Sequence, residues 1–170
     1  QAHGFRFIIY NDEAVSPSLL RRFCDALETR APAMHWTVRI ISDVNFDAPL
    51  ARRMREAGCF EVLFGLETVN PATALVMGKV SRKSTTSQIT EMLSTFTDAG
   101  IGIFLNFIYG FPTERDEDFE ESFAFAVAVR DKLPGVTLQM NKFALFAGSE
   151  IHEEPNRFGV TLKAWDARAN

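Results

Sequence analysis

The sequence predicts an α/β fold built on a parallel sheet. Three observations predict it: five short runs rich in apolar and β-branched residues, helical apolar patterns between successive runs, and glycine or proline at nearly every junction. Strict alternation of strand and helix implies parallel strands joined by right-handed crossovers. An open doubly wound sheet and part of a (β/α) barrel both satisfy that pattern.

Residues 5–10 (FRFIIY) form the first strand, apolar enough to suit burial on both faces. The loop Asn11-Asp12-Glu13 follows. Ser16 then stands as an N-cap before Pro17 at the first helical position, with Leu20, Phe23, Cys24 and Leu27 at helical spacing behind it. Pro32 lies beyond that helix, and residues 36–41 (WTVRII) form the β-branched second strand. Asp47 opens a second helix with Leu50, Met54 and Ala57 on one face, and Gly58 closes it. Residues 61–66 (EVLFGL) form the third strand, after which Asn70-Pro71 caps a short helix that stops near Gly78.

Thr85 and Gln88 make a capping box for the next helix, whose apolar face is Ile89, Met92, Leu93 and Phe96 and whose end is Gly100. Residues 101–109 (IGIFLNFIY) form the fourth and most apolar strand, and Gly110-Phe111-Pro112 forms a tight turn. The acids between Glu114 and Glu121 suit the positive end of a helix dipole, and Phe119, Phe123, Ala126 and Val127 supply that helix's inner face. Pro134-Gly135 ends it, and residues 136–143 (VTLQMNKF) form the fifth strand. Residues 1–146 thus read as the barrel or sheet unit. Residues 147–170 read as a loop-like tail, with 158–162 either pairing or packing at an edge.

Composition narrows the function classes. Of 170 residues, 46% are apolar and 24% charged, ordinary values for a domain with one real core. The formal net charge of -4 and the lack of a basic stripe argue against sequence-independent binding to nucleic acid. No apolar run approaches the roughly 20 residues that span a bilayer. Cys24 and Cys59 belong to no paired motif and fall among apolar neighbours, so they read as small buried hydrophobes in a reducing compartment. His3, His35 and His152 show no metal-ligand spacing. There is no glycine-rich dinucleotide fingerprint and no P-loop.

Parallel α/β folds bind ligands at the carboxyl ends of their strands. Here those ends carry Asp12-Glu13, Arg39, Gly65-Leu66-Glu67, Asn106 with Gly110-Phe111-Pro112-Thr113-Glu114, and Gln139, Asn141 and Lys142. A charge on a buried strand costs several kcal/mol unless it is paired. Each residue has a local explanation: Asp12 as a turn cap, Arg39 with Glu67 as a buried ion pair, Glu114 as a helix-start acid, and Asn106 as a partner for loop backbone. Converging on one rim, they favour a ligand site. Carboxylates suit an ammonium or ribose hydroxyls, Arg39 suits a carboxylate, and Gly65 and Gly110 let the backbone approach a sugar or base.

The series Asp12-Glu13, Arg39 in WTVR, and residues 57–68 (AGCFEVLFGLET) resembles the radical S-adenosylmethionine (SAM) superfamily, in the branch whose members often carry a cobalamin-binding domain. Residues 100–114 (GIGIFLNFIYGFPTE), Met77-Gly78-Lys79 and residues 146–160 (FAGSEIHEEPNRFGV) resemble further motifs of that branch, in the same order and spacing. The resemblance implies strands two to six of a (β/α)6 barrel. It places Asp12 and Glu13 at the methionyl ammonium of SAM, Arg39 beside the methionyl carboxylate, Glu67 at the ribose and amino group, and Asn106 through Gly110 along the adenine.

The resemblance also implies a [4Fe–4S] cluster held by a C-x-x-x-C-x-x-C motif on the first strand. Cys24 and Cys59 do not match that motif, so the cluster ligands are expected outside this chain, which reads as a fragment inactive by itself. A barrel without its first strand is expected to expose an edge and to behave poorly in solution. The implied activity is reductive cleavage of SAM and radical modification of an unknown substrate, with methylation as one outcome if cobalamin takes part. The implied partner is a reductant such as flavodoxin or ferredoxin, and the implied location is the cytoplasm. Three rivals remain from the residues themselves: a non-catalytic SAM- or nucleotide-binding module, an ordinary TIM-barrel enzyme using Glu67 and Lys142 as acid and base, and an open-sheet interaction domain.

Overall fold

A computed structural model describes residues 6–10, 15–30, 34–41, 46–79 and 84–163. In chain order the elements are β1 (Phe7–Tyr10), α1 (Pro17–Arg30), β2 (His35–Ile41), α2 (Ala48–Glu56), β3 (Cys59–Glu67), α3 (Pro71–Val76), α4 (Thr86–Asp98), β4 (Gly102–Tyr109), α5 (Asp116–Lys132), β5 (Val136–Lys142) and α6 (Glu150–Glu153). A 3-10 turn over Pro155–Phe158 follows α6.

The helix starts form where the local chemistry asks for them. Asp47 accepts the Leu50 N–H at 2.7 Å. Asn70 Oδ1 accepts from Ala72 and Thr73 at 2.9 and 3.0 Å, with Pro71 at the first helical position. Thr85 and Gln88 form the reciprocal capping box of α4.

All five strands are parallel and lie in sequence order, β1-β2-β3-β4-β5. A doubly wound sheet needs its strand order to reverse so that helices reach both faces. Here the order never reverses, and uniform right-handed crossovers place the helices on one side. This is a sector of a parallel (β/α) barrel.

One side of the sheet is buried beneath the helices. Trp36, Val38, Ile40, Val62, Phe64, Leu66, Ile103, Leu105 and Phe107 pack there against Leu20, Cys24, Leu50, Met54, Leu93, Phe96 and Ala126. The other side is only partly covered: β3 and β4 alternate buried and half-buried residues, and β5 alternates half-buried and exposed ones. In β1, Phe7 and Ile9 are exposed, so burial on both faces is not realised among the described strands. The reason is that among the described residues one layer of helices covers the sheet, and the other side is the barrel's lumen.

Two further expectations are corrected. The inner face of α5 is Asp118, Ser122, Ala126 and Val129, while Phe123 is 49% exposed. Phe119 and Phe123 stack on each other at 5.9 Å along the flank of the helix, and Phe119 meets Tyr109. The segment after β5 is not loop-like throughout. Ile151 of α6 and Phe158 are buried with Phe111 in a small second cluster that Met77, Phe143 and Val160 complete.

Candidate functional site

The strand register brings the polar residues of separate strands together. Gly65 lies beside Asn106, and Asn106 beside Gln139; Arg39 lies beside Leu63, and Ile108 beside Asn141. With a period of two, Arg39, Gly65, Asn106, Ile108 and Asn141 share the open face. Arg39 is exposed there, so its charge escapes the burial penalty that made an ion pair worth weighing.

Two adjoining cavities occupy this rim. The larger, about 550 Å3, is lined by Arg39, Glu67, Asn106, Ile108, Asn141 and Lys142, with residues 143–151 forming its outer wall through Phe143, Phe146, Ser149 and Ile151. The second, about 350 Å3, is lined by Met77, Lys79, Ile108, Phe111, Phe143 and Phe158, with Ser149, Glu150 and Ile151. Glu67, Ile108, Phe143, Ser149 and Ile151 belong to both. One compartment is therefore rich in charges and amides, the other in aromatic and thioether groups, and Glu67 stands at their junction.

Glu67 has an unusual backbone. Its φ is 68°, the one positive value among the described non-glycine residues. The Thr68 N–H donates to the Leu66 carbonyl at 2.9 Å, which closes a three-residue turn centred on Glu67. An i to i+2 turn with positive φ at its centre is rare and strained. The register of β3 against β4 shifts between Gly65 and Glu67. The carboxylate then folds back over Gly65: a Cβ on Gly65 would lie 2.8 Å from Glu67 Oε1.

The other expected residues divide. Arg39, Glu67 and Asn106 line one cavity, whereas Asp12 and Glu13 lie outside the described residues. Gly110 is exposed, is not among the lining residues, and adopts a φ of 73° in a turn. Its N–H donates to Glu114 Oε2 at 2.6 Å, while Glu114 Oε1 is buried without a hydrogen-bond partner. Glu114 therefore closes the loop after β4, ahead of the first turn of α5, and is not a helix-start acid.

The walls supplied by Phe143, Phe146, Ser149 and Ile151 were not foreseen, because the segment after β5 gave no periodic signal. The N-cap bond from the His152 N–H to Ser149 Oγ was readable in principle as serine before an acidic turn.

The two cysteines play no part at this rim. Cys24 and Cys59 are fully buried in the helix–sheet layer, where desolvation pushes their thiols up to about 11 and about 12. Such thiols are inert at neutral pH. Among the described residues no group of three or more His, Cys, Asp or Glu is placed to hold a metal ion. No described helix is long and apolar enough to cross a membrane.

A sector of parallel strands with its cavities at the carboxyl rim defines a (β/α)-barrel protein. The chain belongs to the radical SAM superfamily, whose family model matches residues 15–126.

Two curated relatives are similar to it. An uncharacterized methyltransferase of Pyrococcus horikoshii is 28% identical over 125 residues, covering 73% of this chain and 27% of the relative. The anaerobic magnesium-protoporphyrin IX monomethyl ester cyclase of Rubrivivax gelatinosus is 29% identical over 129 residues, covering 73% and 22%. The chain thus spans about a quarter of the length of the curated relatives it matches.

Among solved structures, the radical SAM methyltransferase TsrM of Kitasatospora setae, with cobalamin and a [4Fe-4S] cluster bound, superposes with a TM-score of 0.64 at 18% identity. That match covers 82% of this chain and 28% of TsrM. Coproporphyrinogen III oxidase (HemN) of Escherichia coli gives 0.63 at 12% identity, covering 83% and 32%. At these identities the superpositions establish the shared fold.

Proposed function

We propose that this chain is the SAM-binding part of a radical SAM enzyme that modifies its substrate by radical chemistry, with methylation as the favoured outcome. The observation that carries the proposal is the bipartite cavity with Glu67 at its junction. SAM has a charged amino-acid end, a hydroxylated sugar and a flat, weakly polar base. The polar compartment offers a guanidinium, a carboxylate and two amides to the first two, and the compartment of Ile108, Phe111, Phe143 and Met77 offers an apolar slot to the third.

In this reading Arg39 holds the methionyl carboxylate and Glu67 the ribose hydroxyls. Asn106 orients the nucleoside, Gly110 shapes the loop beside it, and Asp12 and Glu13 take the ammonium. When bound beside a reduced cluster, SAM supplies a deoxyadenosyl radical. The cluster's cysteines come from outside these described residues, and this chain alone is inactive. The protein's own share is orientation and the exclusion of water.

A cobalamin cofactor fits the methyltransferase relative and the cobalamin-bound TsrM structure. A flavodoxin- or ferredoxin-type reductant and a cytoplasmic location complete the reading. Lys142 and Glu67 line the same cavity, which supports acid–base chemistry as a second reading.

Equilibrium dialysis with labelled SAM separates the two. Saturable binding that weakens at least about tenfold in Glu67→Ala is expected for a carboxylate hydrogen-bonded to the ligand. Equal retention by wild type and Glu67→Ala would sink the SAM reading.

A further inference from the structure

Directly after the strained turn at Glu67 lies a buried polar network that reaches across to α5. Thr68 and Ser122, 0% and 3% exposed, join their hydroxyls at 3.1 Å. Ser122 Oγ also accepts the Val69 N–H at 3.2 Å, and Thr68 Oγ1 accepts the Asn70 N–H at 3.1 Å. Asn70 Nδ2 donates to Asp118 Oδ1 at 2.8 Å. Asp118 is 5% exposed and is clamped by Arg115 through Nη2 at 2.8 Å, Nε at 3.2 Å and the backbone N–H at 3.1 Å.

The network takes up both backbone N–H groups that directly follow Thr68, so the chain leaving β3 has one direction. A chain free to relax would return Glu67 to negative φ, because at positive φ a Cβ crowds the backbone carbonyl oxygen. Relaxation would also swing the carboxylate away from its seat over Gly65.

We propose that Thr68, Asn70, Ser122 and Asp118 are positioning residues that lock the Glu67 carboxylate at the junction of the two compartments, ready for its ligand. This rests on Glu67 contacting SAM. The network touches neither cavity: Thr68, Ser122 and Asp118 are absent from both linings. Thr68, Ser122 and Asp118 therefore act on the site through the turn at Glu67, while Asn70 also caps α3, whose end lines the second cavity. Burying a charged Asp and two hydroxyls beneath a rim is costly unless every partner is in place. The arrangement here is nearly closed on itself, which favours a unique turn geometry over a merely apolar contact.

The test compares Thr68→Val, which keeps the shape and deletes the hydroxyl, with Thr68→Ser, which keeps the hydroxyl and deletes a methyl. Labelled SAM is the probe, and wild type and Glu67→Ala are run alongside. The expected result is about tenfold weaker SAM binding for Thr68→Val and retention within about twofold for Thr68→Ser, whichever of the two melts lower. If affinity instead follows melting temperature through both variants, or Thr68→Val binds as wild type does, the positioning role is overturned. If Glu67→Ala also binds as wild type does, the SAM reading falls with it. A loss in Glu67→Ala alone removes only the network's role.

Discussion

At the residue scale, Glu67 shows why side-chain identity and backbone geometry have to be read together. Its neighbour Gly65 leaves open the space that the Glu67 carboxylate occupies, since an added Cβ would meet Oε1 at 2.8 Å. Gly65→Ala is expected to fold, because the obstructing atom is the end of a flexible side chain. It should nevertheless weaken SAM binding several-fold, read by the same dialysis; unchanged affinity would show that the carboxylate's seat over Gly65 does not matter.

Asp118 makes a separate prediction in pH. Hydrogen bonds from Arg115 hold its carboxyl below the usual carboxylate range. A depressed folded-state value contributes stability that is present above the unfolded value of about 3.9 and is lost as pH falls through the folded one. Chemical denaturation of wild type should therefore lose stability below about pH 4 more steeply than Asp118→Asn does. Parallel acid profiles would show that Arg115 does not hold the charge. No local pattern marks Ser122 for its role, which needed the turn across from it.

At the element scale, the helix starts were legible and the helix faces less so. Asp47, Asn70 and Thr85 cap as their spacing predicts, because capping is chemistry within four residues. Thr85→Ala should cost about 1 kcal/mol of unfolding free energy in urea. Gly58 is the stricter junction. Its φ is 95°, and a Cβ there would lie 1.9 Å from the Met34 carbonyl oxygen. Gly58→Ala should therefore cost about 3 kcal/mol or more in the same denaturation; a loss below 1 kcal/mol would mean the α2–β3 junction can relax. The inner face of α5 was misread because aromatic residues outweigh serine and aspartate in a hydrophobic pattern. The buried network decided instead which side of the helix turns inward.

At the scale of the whole molecule, stability sits in one layer between helices and sheet. Phe64 and Phe96 are completely buried there, while Phe123 is half exposed. Phe64→Ala should cost about 3–5 kcal/mol, and Phe123→Ala should stay within about 0.5 kcal/mol of wild type. Comparable losses at both positions would show that the outer flank of α5 is covered in solution. The lumen side contributes less to stability and carries the cavities instead, with Phe7 and Ile9 exposed along β1 and Phe146 at the mouth. This division lets the strand ends hold Arg39, Glu67 and Asn106 without the cost those groups would meet in the helix-covered layer.

The sequence by itself determined the alternation of strands and helices, the parallel class, the capping residues and the strand ends where polar groups gather. These follow from periodicity and short-range chemistry, which act within a few residues along the chain. Only the tertiary structure decided that the strand order never reverses and that one sheet face stays open. It also decided that residues 143–158 wall the cavities and that a serine on α5 reaches the turn after β3. Those outcomes depend on contacts between segments far apart along the chain, 54 positions in the case of Thr68 with Ser122. No local pattern encodes such a pairing, because the free energy that selects it arises only when the layers have packed.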